Sequence, residues 1–229
     1  MTAALGLVPS RYQHNGGEVD LDTYFAMARG AQKDGLDVTA MEMSKWFDTN
    51  YHYIVPEFEK GMEPKLCSEK IFRHYEEAKA LGIETRPVLI GPATYTFIGK
   101  PHYEDFDHKA FALKLIPVYN EILAGLAERG CKWVQIDEPI FSLDLCEIGQ
   151  GTIKAAYDAL EKPESLSILV ANYFESLKDN AELAFSLPVD AIHIDLCRGS
   201  GRANTTANDP NKDIEQAIPR TKINYITAA

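Results

Sequence analysis

Trp133-Val134-Gln135-Ile136-Asp137-Glu138-Pro139 reads as a strand that ends on two acids and is stopped by a proline. Pro139 has no N–H to give to a ladder, so pairing stops there. Just upstream, Phe106 to Arg129 has the pattern of a long helix, kinked or restarted at Pro117 and capped by Gly130. Before it, Arg86-Pro87-Val88-Leu89-Ile90-Gly91-Pro92 is a second strand. Its apolar run is continuous rather than alternating, which suits a parallel strand covered on both faces. Tyr95, Phe97 and Gly99-Lys100 read as an aromatic loop at its C-terminal end.

The same alternation extends both ways. Upstream, Leu66 to Leu81 reads as a helix with Ile71, Tyr75, Ala78 and Leu81 inward. Leu36 to Met43 reads as a strand, and Val19 to Arg29 as a helix with Leu21, Tyr24, Phe25 and Ala28 on one face. Downstream come a helix at Thr152–Leu160, a strand at Ser165–Val170, a helix at Leu177–Leu187 and a strand at Ala191–Leu196. A short helix (Asp213–Ile218) and a weaker strand (Lys222–Ile226) follow a Ser/Gly/Asn/Thr-rich stretch from Ser200 to Asp209.

Strands separated by helices predict parallel pairing with right-handed crossovers. The fold class is α/β. A TIM-like (β/α)8 barrel fits best, because polar residues stand at the C-terminal end of nearly every strand. Eight strands are needed and about six are present, so the barrel is expected to be incomplete, its first strand and C-terminal strand or strands missing. A doubly wound sheet is the alternative, but no GxGxxG follows the first strand. Residues 1–199 are expected to form the partial barrel, and 200–229 a divergent, flexible tail.

At 229 residues and 45% hydrophobic, the chain can bury a core. A net charge of -11 argues against nucleic acid and anionic membranes as partners. No stretch reads as long enough for a membrane span, and the N-terminus lacks the basic region of a signal peptide. Cys67, Cys131, Cys146 and Cys197 are widely spaced without a CxxC, which suits reduced thiols in the cytoplasm.

One segment has no period. Glu42-Met43-Ser44-Lys45-Trp46-Phe47-Asp48-Thr49-Asn50-Tyr51-His52-Tyr53-Ile54-Val55-Pro56-Glu57 reads as a loop after a strand, dense in aromatic and polar side chains. Ordering such side chains is costly unless something is bound. The other reading is a loop that seals a barrel end. Lys45 reads as a binder of a carboxylate or phosphate in a site partly covered by Trp46 and Phe47, the other reading being a solvated lysine. Asp137 and Glu138 point to opposite faces, one to the barrel mouth and one to a helix end or neighbouring strand. They can bind a cationic group, orient a ligand, act as acid and base, or pair internally with Arg86 or Lys45. His193 and Asp195 share a face as a metal half-site or a hydrogen-bonded layer in the barrel, the layer being favoured because no third ligand is evident nearby. Arg198-Gly199 is a weak anion contact. Cys146 and Cys197 fall near strand ends without forming a metal set.

Met43 to Glu57, Arg86 to Pro92, Trp133 to Pro139 and His193-Ile194-Asp195-Leu196 together resemble the N-terminal domain of the cobalamin-independent methionine synthases. The resemblance runs from about Leu5 to Gly199. It implies an enzyme of two TIM-like barrels that moves a methyl group from 5-methyltetrahydrofolate polyglutamate to homocysteine, forming methionine without cobalamin. Zinc in the C-terminal barrel, held by His, two Cys and an acid, would lower the thiol pKa; none is expected in this chain. Homocysteine would bind through that same absent barrel.

The lysine of the family's KWF motif contacts folate, and here it is Lys45. Trp46, Asn50, His52, Asp137 and Glu138 are weaker folate-binding candidates; no catalytic residue and no metal ligand is assigned. The family's Arg-Glu-Leu-Lys motif and its VDGRNIW-like segment are not found. The chain is therefore expected to supply folate-tail binding and interdomain contacts and to be inactive alone. Open barrel edges would favour self-association. A non-catalytic binding module is the second reading, and an independent barrel enzyme using Asp137 and Glu138 the third.

Overall fold

The computed structural model describes residues 1–33, 35–195 and 226–227. Leu196, Cys197, Arg198-Gly199, the stretch from Ser200 to Asp209, the helix expected at Asp213–Ile218 and most of the strand expected at Lys222–Ile226 lie outside the described residues.

The N-terminal third departs most from the sequence reading. Helix α1 (Leu21–Arg29) forms as expected, with the Asp20 side chain accepting from the Thr23 amide at 2.7 Å. Its buried face is different: Ala26 and Met27 are buried, whereas Leu21, Tyr24 and Phe25 are exposed. The strand expected from Leu36 to Met43 is split. β1 (Ala31–Lys33) and β2 (Leu36–Val38) form an antiparallel hairpin, with Lys33 opposite Leu36. Gly35 takes φ +80°, which glycine adopts without strain. A glycine at this point is the local sequence signal for a tight hairpin turn.

The segment read as a loop is a second hairpin. β3 (Met43–Lys45) pairs antiparallel with β4 (His52–Ile54). The aromatic residues hide the period, because they serve the turn and its cover as well as the strands. β5 (Glu57–Phe58) follows.

Helix α2 (Lys70–Ala80) buries Phe72 and Tyr75, and Leu81 is exposed rather than inward. β6 (Val88–Ile90) leads into α3 (Pro92–Ile98), a helix where an aromatic loop was expected. Gly91-Pro92 starts it: proline at the first helical position gives up only an amide that has no intrahelical partner. β7 (Lys100–Pro101) pairs parallel with β5. Helix α4 (His108–Glu128) runs unbroken through Pro117. By length and apolarity α4 could cross a membrane, contrary to the sequence reading, but nine of its side chains are buried.

β8 (Trp133–Asp137), α5 (Glu147–Asp158), β9 (Ser167–Ala171), α6 (Ala181–Ser186), β10 (Ala191–Ile194) and β11 (Ile226–Thr227) complete the order. The main sheet runs β11-β10-β9-β8-β6, and every pair is parallel. Among the described residues its order never reverses, so no switch point of a doubly wound sheet occurs there. Neighbouring strands in chain order are neighbours in space, as in a barrel. Among the described residues the sheet stays open, with β6 at one edge.

Two faces follow from the alternation of side chains. Leu89, Val134, Ile136, Ile168 and Val170 are buried in one core with Leu115, Tyr119 and Ile122 of α4 and Ile153 and Tyr157 of α5. On the other face the register lines up Val88, Gln135, Leu169 and Ala191, then Ile90, Asp137, Ala171 and His193. Val88 is 56% exposed, so β6 is not covered on both faces: it is an edge strand.

Candidate functional site

The β3–β4 hairpin ends in a folded tip. The Trp46 amide donates to the Tyr51 carbonyl at 2.7 Å, and the Thr49 hydroxyl donates to the Trp46 carbonyl at 2.6 Å. Phe47 sits at φ +49°, a strained value for a residue with a side chain. Trp46 meets Phe47 and Tyr53 edge-on, with centroids 5.1 and 5.3 Å away. Phe47 reaches Phe174, in the loop after β9, at 6.3 Å. The tip thus rests against the carboxyl end of the sheet. A cavity of about 340 Å³ opens there, lined by Phe47, Asp48, Ser142, Leu143, Phe174, Glu175 and Lys178.

Lys45 stands opposite His52 on the hairpin, and both are exposed. The partly covered site expected for Lys45 is not formed: the aromatics pack inward and leave the ammonium in solvent. Trp46 is half-buried and Asn50 is exposed.

Asp137 is half-buried on the open face. Gln135 Nε2 donates to one carboxylate oxygen at 2.7 Å, and the Tyr173 hydroxyl to the other at 3.0 Å. Burial raises its pKa, and these two hydrogen bonds, with His193 and Arg86 nearby, pull it back. Trp46 also lies beside the Tyr173 hydroxyl. The two sequence motifs therefore meet through Tyr173.

Glu138 is the exception among the candidates. It is fully buried on the opposite face, so it is not a ligand contact. Its carboxylate accepts from the Ala93 amide at 3.2 Å, the Thr94 amide at 2.7 Å and the Tyr157 hydroxyl at 3.3 Å. Burial pushes its pKa up to about 7, against those hydrogen bonds. The two acids do point to opposite faces, Asp137 to the open face of the sheet and Glu138 to the start of α3. Among the described residues, no ion pair joins either acid to Arg86 or Lys45.

His193 Nδ1 lies 2.9 Å from the Asn172 carbonyl, and the Asp195 carboxylate accepts from the Phe174 amide at 2.9 Å. That is the hydrogen-bonded layer. Among the described residues, no three His, Cys, Asp or Glu side chains converge as metal ligands. Tyr53, Tyr173 and Phe174 were not singled out in the sequence. The last two had a signal, Asn172-Tyr173-Phe174 at a strand's C-terminal end.

Residues 1–216 match the family described as "Cobalamin-independent synthase, N-terminal domain". The chain belongs to that family. A 5-methyltetrahydropteroyltriglutamate–homocysteine methyltransferase of Salinibacter ruber is 49% identical over 202 residues, covering 86% of this chain and 26% of that protein. One of the same name from Acidithiobacillus ferrooxidans is 42% identical over 236 residues, covering 91% and 30%. The chain thus spans between a quarter and a third of the length of these relatives. A solved B12-independent methionine synthase from Shewanella sp. W3-18-1 shares the fold, at a TM-score of 0.55 and 14% identity, covering 76% of this chain and 53% of that one. In the cobalamin-independent synthase family no cobalamin is called for. The chain is α/β, with a parallel sheet whose strands run in sequential order and which is open among the described residues.

Proposed function

We propose that this chain is part of a methyltransferase that moves a methyl group from 5-methyltetrahydropteroyl-polyglutamate to homocysteine, forming methionine. Its share is to contact the anionic glutamate tail and the domain that carries the rest of the site. The single observation behind this is Lys45, held in solvent on a hairpin whose tip is fixed by packed aromatics beside the sheet's carboxyl end. A cation there meets an anionic tail at a small desolvation cost. Trp46, Asn50, His52 and Asp137 stand around the same end as secondary contacts. The names of the relatives supply the substrates.

Zinc and homocysteine belong, on this reading, to a domain outside these residues, and the chain alone does not methylate homocysteine. Methionine formed by the pure chain would overturn that. The reading also places the protein in the cytoplasm, in keeping with free Cys67, Cys131 and Cys146.

Calorimetric titration with methyltetrahydropteroyltriglutamate, beside Lys45→Ala, tests the contact. Binding should weaken about fivefold in the variant, matching the ~1 kcal/mol of an exposed ion pair. Equal affinity in both proteins would remove Lys45 from the site, whereas no binding by the folded chain would mean that the site needs the other domain, and the binding-module reading would gain. The open edge at β6 favours a second reading, a binding module that associates with itself or another chain. Light scattering at micromolar concentration checks it, and a monomer counts against self-association.

A further inference from the structure

Glu138 has no route to a ligand, yet it is the buried acid on which helix α3 begins. Its two oxygens accept from the Ala93 and Thr94 amides in the first turn of that helix. The approach is close enough to need glycine at position 91, where a Cβ would lie 2.1 Å from the carboxyl group. On the other side, Thr94 Oγ1 accepts from the Ile140 amide at 3.4 Å, and the Asp137 carbonyl accepts from the Gly91 amide at 2.8 Å. The start of α3 is thus bound to the end of β8.

The far end of α3 is bound to the hairpin. The Ile98 carbonyl accepts from the Tyr53 hydroxyl at 3.1 Å. Tyr53 lies in β4 and packs edge-on against Trp46. The Lys100 amide, just past the helix, donates to the Pro56 carbonyl at 2.8 Å, and its ammonium pairs with Glu42 at the hairpin's base. A short rigid strut therefore runs from Glu138 to the hairpin that carries Lys45 and Trp46.

We propose that Glu138 is a positioning residue whose ionisation controls the docking of α3 and, through Tyr53, the placement of the Lys45–Trp46 hairpin. The groups that face it are Thr94 from α3, Tyr157 from α5 and Tyr119 from α4, with Asp137 beside it and Tyr173 beyond. Facing the carboxyl are thus the two backbone amides at the start of α3, hydroxyls and a second acid, with no cationic side chain among them, and burial outweighs the amides' pull toward the charged form. Burial accordingly pushes the Glu138 pKa up to about 7. Undocking α3 returns the carboxyl to water, where its ordinary value is far lower. Ionisation therefore favours the undocked arrangement, and raising the pH from 6 to 8 should increase its population about tenfold.

The functional consequence rests on the reading of Lys45 given above, but the test does not. Amide hydrogen exchange of the ligand-free chain, corrected for intrinsic rates, is followed at pH 6 and pH 8 over residues 92–98 and 43–54. Exchange in both segments should rise about tenfold with pH in the parent protein. It should be insensitive to pH in Glu138→Gln. In Tyr53→Phe, which keeps the ring packing, α3 should still respond and the hairpin response should shrink, the Lys100 contacts carrying what remains. A pH response that survives in Glu138→Gln overturns the proposal, as does a hairpin response that is undiminished in Tyr53→Phe, or its absence in the parent. Should Glu138→Gln fail to fold, the parent and Tyr53→Phe decide alone. Failure of triglutamate binding with this exchange pattern intact would sink the functional reading and leave the positioning role standing.

Discussion

The Tyr173 hydroxyl donates to Asp137 Oδ2 at 3.0 Å and so ties the loop after β9 to the last residue of β8. Tyr173→Phe removes that bond and leaves Asp137 with Gln135 alone. The loss should cost about 1–2 kcal/mol, read from urea unfolding at pH 7. The Asp137 pKa, already raised by burial, should rise further, because the lost bond favoured the charged form. Carboxyl-carbon NMR follows it, and an unmoved titration would refute the link.

The pH dependence of stability should carry the mark of Glu138. Its pKa in the folded chain is about 7, above the ordinary 4.5. The stability it contributes is therefore fully present below about 4.5 and is lost as the pH rises through 7. The fall is on the order of 3 kcal/mol at 1.36 kcal/mol per unit. Urea unfolding between pH 5 and pH 8 should show this decline in the parent and a flatter profile in Glu138→Gln. Equal slopes in the two proteins would count against a buried, titrating Glu138.

Gly91 and Glu138 should be energetically coupled. Gly91→Ala alone puts a methyl group into the carboxyl and should cost about 1–3 kcal/mol through overpacking. In a Glu138→Ala background the space is free, and most of that cost should vanish. A double-mutant cycle measures the difference. Additive effects would mean that the close approach does not persist in solution.

Arg11 and Glu57 make a two-pronged pair, with Nη2 2.8 Å from Oε1, and Glu57 is buried. His102 Nε2 is the further basic neighbour, 3.7 Å away. Arg11→Ala should cost about 3 kcal/mol, because it strands a buried carboxylate. Arg11→Lys should restore only part of this, since an ammonium cannot make both bonds in one plane. Full rescue by lysine in thermal unfolding would contradict the geometry.

The βα alternation was legible because its signals are local. Trp133–Asp137, Ser167–Ala171 and Ala191–Ile194 lie within a residue or two of where their apolar runs place them. The aromatic motif around Lys45 was legible as the family's, and residues 1–216 match that family. Less legible were the N-terminal hairpins and the start of α3. There the runs are three residues long, and the deciding signals, Gly35 and Gly91-Pro92, punctuate the chain instead of repeating along it.

For the main sheet, the sequence by itself determined which segments form strands, that they pair in parallel, and that the two acids at the end of β8 point to opposite faces. Those outcomes depend on side-chain period and on backbone chemistry within a few residues. Only the tertiary structure decided which acid is buried. Asp137 turns to an open face because the register sets it beside Ala171. Glu138 turns under α3 because Gly91, more than forty residues upstream, leaves room for its carboxyl group. The tertiary structure also decided that Lys45 stays in solvent, since Trp46 spends its surface on Phe47 and Tyr53. Burial and contact depend on residues remote in the chain, and no local pattern records them.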